Sequence, residues 1–327
     1  MEPVGEARSI ERSGSEGRPR PRVVVGVDGS PGSRAALAHA LTAARQRGAD
    51  LDVVSTFWLE ALYSEFGWMV RSEVEPIRRA TREQAQALID EVRSETGPPA
   101  GSPEPRVRLI VEEGTAGWVL VDRSADADLL VVGSRGRGAL RSLVLGSVAL
   151  HCVTHARCPV VVVRPTGPGG ATDRVVAGVD GSPGSRVALR AAIDEAVRRD
   201  AEVEAVAAVY LRGDTWIELE TLPGTATIEG VRREVAARTE RRVAEVLAER
   251  GEESPAPDVR VEVVDGAPAE VLVQQAEGAG LLVVGSRGWR ALRGLLLGSV
   301  ALHCVMHAPC PVMVLRPAPD DGTAPGA

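Results

Sequence analysis

Two stretches of the chain hold glycine, arginine and serine at a spacing suited to an anion: GSRGRGALRSLVLGSV over Gly133 to Val148 and GSRGWRALRGLLLGSV over Gly285 to Val300. Each reads Gly, two residues, Gly, nine residues, then Gly-Ser opening a helix. Gly133 and Gly136, like Gly285 and Gly288, let main chain approach a ligand with no Cβ in the way. Gly146-Ser147 and Gly298-Ser299 present free helix N-terminal amides, including those of Val148 and Val300, to negative charge. Arg135, Arg137 and Arg141 in the first loop, and Arg287, Arg290 and Arg293 in the second, concentrate positive charge at the same place. The chemistry predicted is phosphate binding. Blander roles exist for some of these residues: Ser147 and Ser299 as helix N-caps, Arg141 and Arg293 as solvated surface, Trp289 as a surface side chain instead of a base-stacking one.

Two further sets of residues could do chemistry. Asp28 and Asp180 close a short β-branched run within GVDGSPGSR, where a carboxylate can face a ligand or hold the next turn through an Asx bond. HCVTHARC (His151 to Cys158) and HCVMHAPC (His303 to Cys310) place histidines at i and i+4, a spacing able to share zinc. Cys152, however, projects about 100° away from His151, and Cys158 precedes a proline and a buried strand, so a packed helix-to-strand corner is the expected role. Trp58, Trp68, Trp118 and Trp216 are expected in the core or an interface.

The elements that must position these residues are written twice. GVDGSPGSR occurs at Gly26 to Arg34 and unchanged at Gly178 to Arg186, an offset of 152 that Gly114, Gly133, Gly146, His151 and Cys158 repeat. A constant offset predicts two copies with essentially no insertions, a duplicated domain and not a solenoid. With 327 residues, the chain is about twice the ~150 of a typical domain. We expect a disordered segment over 1–20, domains over 21–165 and 173–317, a Pro/Gly-rich linker over 166–172 and a disordered tail over 318–327.

Within a copy, strands are predicted at Val23–Asp28, Leu51–Phe57, Val107–Val111, Leu129–Val132 and Val160–Val163. Helices fall between them: one from Ser30-Pro31 with Ala36, Leu37, Ala40, Leu41 and Ala44 on one face, one ending near Glu95 with Ala85, Leu88, Ile89 and Val92, one over Thr115–Ser124 and one from Ser147. This alternation implies an α/β fold: two tandem, parallel, doubly wound five-stranded sheets, with ligands at the carboxyl ends of the strands.

Composition excludes several function classes. Net charge is −7, the wrong sign for a duplex binder. No window approaches the ~18 apolar residues of a membrane span, and the polar N-terminus has no signal-like core, so neither nucleic acid nor membrane is expected as a partner. Four cysteines without a C-x-x-C pair suit reduced thiols and the cytoplasm. All 38 basic residues are arginine, which excludes a lysine Schiff base and a Walker A lysine. Neither G-x-S-x-G nor G-x-G-x-x-G follows the first strand, and no copy assembles a nucleophile with its base, so an enzyme is not expected.

The Val-Asp-Gly-Ser strand end, the G-x2-G-x9-G-Ser loop and the closing Cys-Pro-Val run, present in both copies, resemble the ATP-binding branch of the universal stress protein family. The likeness covers roughly Pro21 to Arg164 and Thr172 to Arg316. It implies a Rossmann-like fold of the adenine nucleotide alpha hydrolase type with strand order 3-2-1-4-5. It further implies one ATP site per domain, at Gly26, Asp28, Gly133, Arg135, Gly136, Arg137, Gly146, Ser147 and Val148, and at Gly178, Asp180, Gly285, Arg287, Gly288, Gly298, Ser299 and Val300. Backbone near Thr56 and Ala208 would hold adenine. The expected role is a regulatory stress-response module whose ATP occupancy controls docking of a regulatory protein. A slow ATPase or autokinase, with Mg2+ on Asp28 and Asp180, and a nucleotide-independent scaffold are the alternatives. In the order 3-2-1-4-5 the last strands lie at sheet edges. The two copies are therefore expected to form an internal pseudo-dimer there, and the whole chain a homodimer.

Overall fold

The computed structural model describes residues 20–58, 71–97, 104–136, 145–165, 172–210, 227–251, 254–288 and 296–317. The terminal segments and linker expected above, Arg137, Arg141, Arg290, Arg293, Trp68, Trp216 and Trp289 lie outside the described residues, apart from Arg20 and Thr172 at two segment ends.

The first domain runs β1 (Arg22–Gly26), α1 (Pro31–Arg47), β2 (Asp50–Phe57), α2 (Arg71–Thr96), β3 (Val107–Glu113), α3 (Ala116–Arg123), β4 (Leu129–Gly133), α4 (Ser147–His155) and β5 (Val160–Val163). The second repeats it as β6 (Thr172–Gly178), α5 (Pro183–Arg199), β7 (Glu202–Val209), α6 (Ile228–Glu249), β8 (Val259–Asp265), α7 (Pro268–Gln275), β9 (Ala279–Gly285), α8 (Ser299–His307) and β10 (Val312–Leu315). The ten strands form one sheet ordered β3-β2-β1-β4-β5-β10-β9-β6-β7-β8, which is 3-2-1-4-5 in each half.

Strands inside each half pair in parallel. The seam is antiparallel, with Val162 opposite Val312 and Val160 opposite Val314. The two last strands thus cover each other's unpaired edge, as a pseudo-dimer within one chain. Their antiparallel meeting turns the carboxyl ends of the two halves toward opposite sides of the sheet. Any association of two chains must use another surface.

Both faces of the sheet are covered, which is why its strands are apolar without alternation. Val23, Val25, Val161 and Val163 face a layer made by α1, α2, α5 and α6, where Ala36, Leu37, Ala40, Leu41 and Ala44 are all sealed. Val24, Val160 and Val162 face α3, α4, α7 and α8, where Cys152, Cys158, Cys304 and Cys310 are buried. Across the seam α1 and α5 meet over an enclosed ion cluster: Arg47 reaches Glu195, which Arg198 also contacts at 2.9 Å. Arg164 donates to the main-chain oxygens of Met306 and Ala308 in the other domain.

The constant offset holds for the strands but not for α6. Arg34 pairs with Glu91 and Glu95, and its repeat Arg186 pairs with Glu245 and Glu249, which stand 154 residues after those glutamates. Two residues are therefore gained before α6 and removed after it, a change that the matching glycines on either side conceal. Of the two places expected for Trp58 and Trp118, the core is ruled out: both are more than half exposed, and Trp118 lies on the outer side of α3 against the rings of His151 and His155.

Candidate functional site

At the carboxyl edge of the second half, six segments surround a cavity of about 880 Å³. Its wall is made by the end of β6 and the following turn (Gly178 to Ser182), the end of β7 (Val206 to Ala208), one face of α6, the start of α7, the end of β9 with its loop (Val284 to Gly288), and the start of α8 (Gly298 to Ala301). Gly178, Asp180, Ala208, Gly285, Arg287, Gly288, Gly298, Ser299 and Val300, dispersed over 123 residues of chain, all line it. The volume lies in the range of small-molecule sites, about 300–1,000 Å³.

The turn after β6 is built before any ligand is considered. Gly181 takes φ +87°, and the Ser182 amide donates to Asp180 Oδ1 at 2.9 Å. Ser182 then caps α5 by accepting from the Ser185 amide at 3.1 Å. The first half repeats this with Ser30 on Asp28 Oδ1 at 2.9 Å and Ser33 on Ser30 at 3.1 Å. Both aspartates therefore hold an Asx turn and stand at the site as well.

The glycines have a different first use from the one expected. A Cβ on Gly133 would come within 2.6 Å of the Gly32 carbonyl carbon, and one on Gly285 within 2.7 Å of that of Gly184. A Cβ on Gly136 or Gly288 would meet the Oδ2 of Asp28 or Asp180 at 2.5 and 2.6 Å. Their lack of a side chain lets the loop after the fourth strand lie directly on the turn after the first. The aspartate and the anion loop are joined by that contact.

The start of the fourth helix also corrects the serine N-cap reading. Gly146 and Gly298, extended at ψ 152° and 156°, are the caps, and Ser147 and Ser299 are the first helical residues. The Gly146 carbonyl accepts from Leu150 at 3.0 Å, and that of Gly298 from Leu302 at 3.0 Å. With no cap side chain, the first amides of α4 and α8 have no intrahelical acceptor and suit an anion. The cap glycine's own amide is tied to Ser134 O at 2.8 Å, or to Ser286 O at 2.7 Å, so the helix start is anchored to the strand end.

In the first half the same contacts bring Asp28, Gly133, Gly136 and Gly146 together. Gly26 ends β1, with its missing Cβ filled by Leu120, and Ser147 and Val148 open α4. Arg135 follows β4, and its carbonyl accepts from the Ser30 hydroxyl at 3.4 Å. Thr56 lies near the end of β2, half-buried, as Ala208 does in β7.

Several residues of the site were missed in the sequence. Ser286, in the cavity wall, is sealed from solvent and its hydroxyl has no hydrogen-bond partner among the described residues; Ser134 repeats the condition. Val235, Arg238, Thr239 and Arg242 face the cavity from α6 at i, i+3, i+4 and i+7. Arg164 and Arg316, which end the two domains, face Arg135 and Arg287, and burial followed by that like charge holds both guanidinium groups below the ordinary arginine value.

The histidine–cysteine corners pair the imidazole rings and turn the helix thiols away from them. His151 and His155 stack at 4.3 Å between ring centroids and His303 and His307 lie at 4.4 Å, while Cys152 and Cys304 point into the core. Burial pushes both of those thiols up to about 12. Among the described residues no three His, Cys, Asp or Glu side chains gather as metal ligands. No helix of the described residues is long and apolar enough to cross a membrane.

The model of the universal stress protein family matches residues 19–164 and again 171–316. A universal stress protein of Mycolicibacterium smegmatis is 34% identical over 307 residues, covering 90% of this chain and 97% of its own. Universal stress protein Rv2005c of Mycobacterium tuberculosis is 36% identical over 316 residues, covering 92% of this chain and 99% of its own. Among solved structures, a universal stress protein from Archaeoglobus fulgidus superposes with a TM-score of 0.60 at 19% identity, over 91% of this chain and 98% of that one, a likeness of fold.

Proposed function

This chain belongs to the universal stress protein family, and from that premise we propose that it is a regulatory module binding one ATP in each domain. The observation that carries the reading is the second-domain cavity, which gathers a glycine-capped helix start, an orphaned serine hydroxyl, arginines and an apolar floor in one volume. The α8 amides, Ser286, Ser299 and Arg287 would hold phosphate. Asp180 would face the ribose side, and the main chain of Val206 to Ala208, with Leu272 and Val235 beside it, would take the base. In the first domain Asp28, Thr56, Gly133, Arg135, Gly136, Gly146, Ser147 and Val148 would do the same, with Arg137. Mg2+, where it accompanies the nucleotide, would neutralise phosphate charge beside Asp28 or Asp180.

We propose binding without turnover. Among the described residues lining the cavity Asp180 is the single carboxylate, and one of its oxygens already accepts the Ser182 amide; no histidine lines it. A base held by an orienting partner, as hydrolysis or phosphoryl transfer would use, is not supplied by that wall. A ligand bound only by the arrangement in which both loops meet would favour that arrangement and could set the docking of a regulatory protein.

The test is to purify the chain without added nucleotide, denature it and quantify released adenine nucleotide, beside Ala208→Phe and Thr56→Phe. Each substitution fills one floor without entering the loop contacts. One nucleotide per domain, with each variant losing its own share, is the expected result. No retained nucleotide together with no binding on titration overturns the reading. ADP accumulating from ATP at substoichiometric protein overturns the absence of turnover.

A further inference from the structure

The face of α6 that lines the second cavity has its equivalent in the first domain displaced by 154 residues, as the paired arginine–glutamate contacts establish. In that register Thr81, Gln84, Ala85 and Leu88 stand where Val235, Arg238, Thr239 and Arg242 stand. The exchange replaces a glutamine and a leucine by two arginines on one helix face.

The two arginines are not equivalent. Arg238 is exposed and paired with Glu234 at 2.7 Å, one turn earlier on the same helix. Arg242 is half-buried, lines the cavity and has no ion pair or hydrogen bond among the described residues. Its guanidinium lies across the turn after β6, with Nη2 3.3 Å from where a Gly181 Cβ would stand. Gly181 follows Asp180, whose Oδ2 lies against Gly288 of the anion loop. The guanidinium is thus placed one residue from the junction of turn and loop. An arginine held over a cavity with no carboxylate paired to it among the described residues is a site for an anion.

We infer that Arg242 makes the second-domain site selective for the more highly phosphorylated nucleotides, and that the first-domain site, with Leu88 in its place, lacks this selectivity. The inference rests on nucleotide binding as proposed above and adds to it a difference in ligand between the two domains. The guanidinium supplies planar donors to phosphate oxygen and does nothing for adenosine. Its contribution is expected to weaken with added salt, since the group is partly exposed.

The experiment is calorimetric titration of the full chain with ATP, ADP and adenosine, for wild type, Arg242→Leu and Arg242→Lys. Thr56→Phe is added to each so that the second site is read alone. Arg242→Leu should lose about tenfold in ATP affinity, as expected for a charge-assisted phosphate contact, and leave adenosine unmoved. Arg242→Lys should recover most of the loss, since it keeps the charge and loses the planar fork. Equal loss for ATP and adenosine, or no loss for either, overturns the inference while nucleotide binding stands. Wild type that binds neither overturns the proposed function itself. Thermal melts matched across the three proteins separate either result from misfolding.

Discussion

The two candidate-site regions share their scaffold and differ in the helix that leans over it. In both halves the aspartate accepts from a serine amide two residues on, the first two loop glycines sit on the preceding turn, and a glycine opens the fourth helix. The nearest contacts agree to within 0.1 Å at the loop glycines Gly133 and Gly285, Gly136 and Gly288, and Gly146 and Gly298. On the second helix the halves diverge, Leu88 in one and Arg242 in the other. A duplicated domain can keep the backbone of a site unchanged while the surface that reads the ligand's charge moves independently. The seam is unequal in the same way. Glu195 lies buried on α5, where α1 has Ala43, and His39 lies half-buried on α1, where α5 has Ala191.

The largest effect is expected at that seam. The side chains of Arg47 and Glu195 are 7% and 3% exposed, so Glu195→Ala leaves a cation enclosed without its partner. Breaking a buried pair costs about 3–5 kcal/mol. Burial already pushes the Arg47 guanidinium below its ordinary value, against the opposing pull of Glu195. Denaturant unfolding of Glu195→Ala should show this loss, and Arg47→Leu with Glu195→Leu should restore most of it. Equal stability of the single and double variants would mean that the ion pair does not hold the halves together.

His39 should give the next largest effect, and one that depends on pH. Its Nε2 is sealed from solvent with no hydrogen-bond partner among the described residues, and burial, then Arg199 and Arg47, lower it from 6.5 to about 3. The folded state therefore accepts the neutral ring. Stability from this group is complete above pH 6.5 and falls as pH drops from there toward 3, by about 1.4 kcal/mol per pH unit. His39→Ala, which makes α1 resemble α5 at this point, should flatten that part of the stability profile. An unchanged acid limb would place the loss elsewhere.

Gly133→Ala and Gly285→Ala come third, and here the halves should behave alike. Each new Cβ meets main chain, not a movable side chain, at 2.6 and 2.7 Å. A forced shift of this kind costs about 1–3 kcal/mol. Urea unfolding of the two variants should give losses of similar size. A loss confined to one variant would show that its partner's loop stands clear of the turn, and the shared scaffold would be disproved.

Much of the fold was legible because burial on both faces leaves continuous β-branched runs, and because the small residues of α1 recur at helical spacing. The seam was legible through the strand order that the family resemblance implies, since in that order the last strand lies at an edge. The site was legible where glycine marks it, although the reason lay elsewhere: Gly133 accommodates Gly32 before it accommodates a ligand. Arg242 was hidden because the constant offset sets it opposite Asp90, a pairing that the helix register replaces with Leu88. For Trp118 the sequence left core and interface open, and its place on the outer side of α3, against His151, removes the core.

The smallest effect tests the register on which the comparison of Leu88 with Arg242 depends. Arg34 and Arg186 are partly exposed, and each bridges its first helix to two glutamates on the next, a contact of modest strength in water. Double-mutant cycles on Arg34 with Glu91, and on Arg186 with Glu245, should return couplings that are small, similar and reduced by salt. In a constant offset of 152 Glu245 would instead match Arg93, which cannot pair with Arg34, so the first cycle would return no coupling. Matching couplings would fix α2 and α6 in the shifted register. The leucine of one site and the arginine of the other would then occupy the same position, and the difference in ligand would follow from that single exchange.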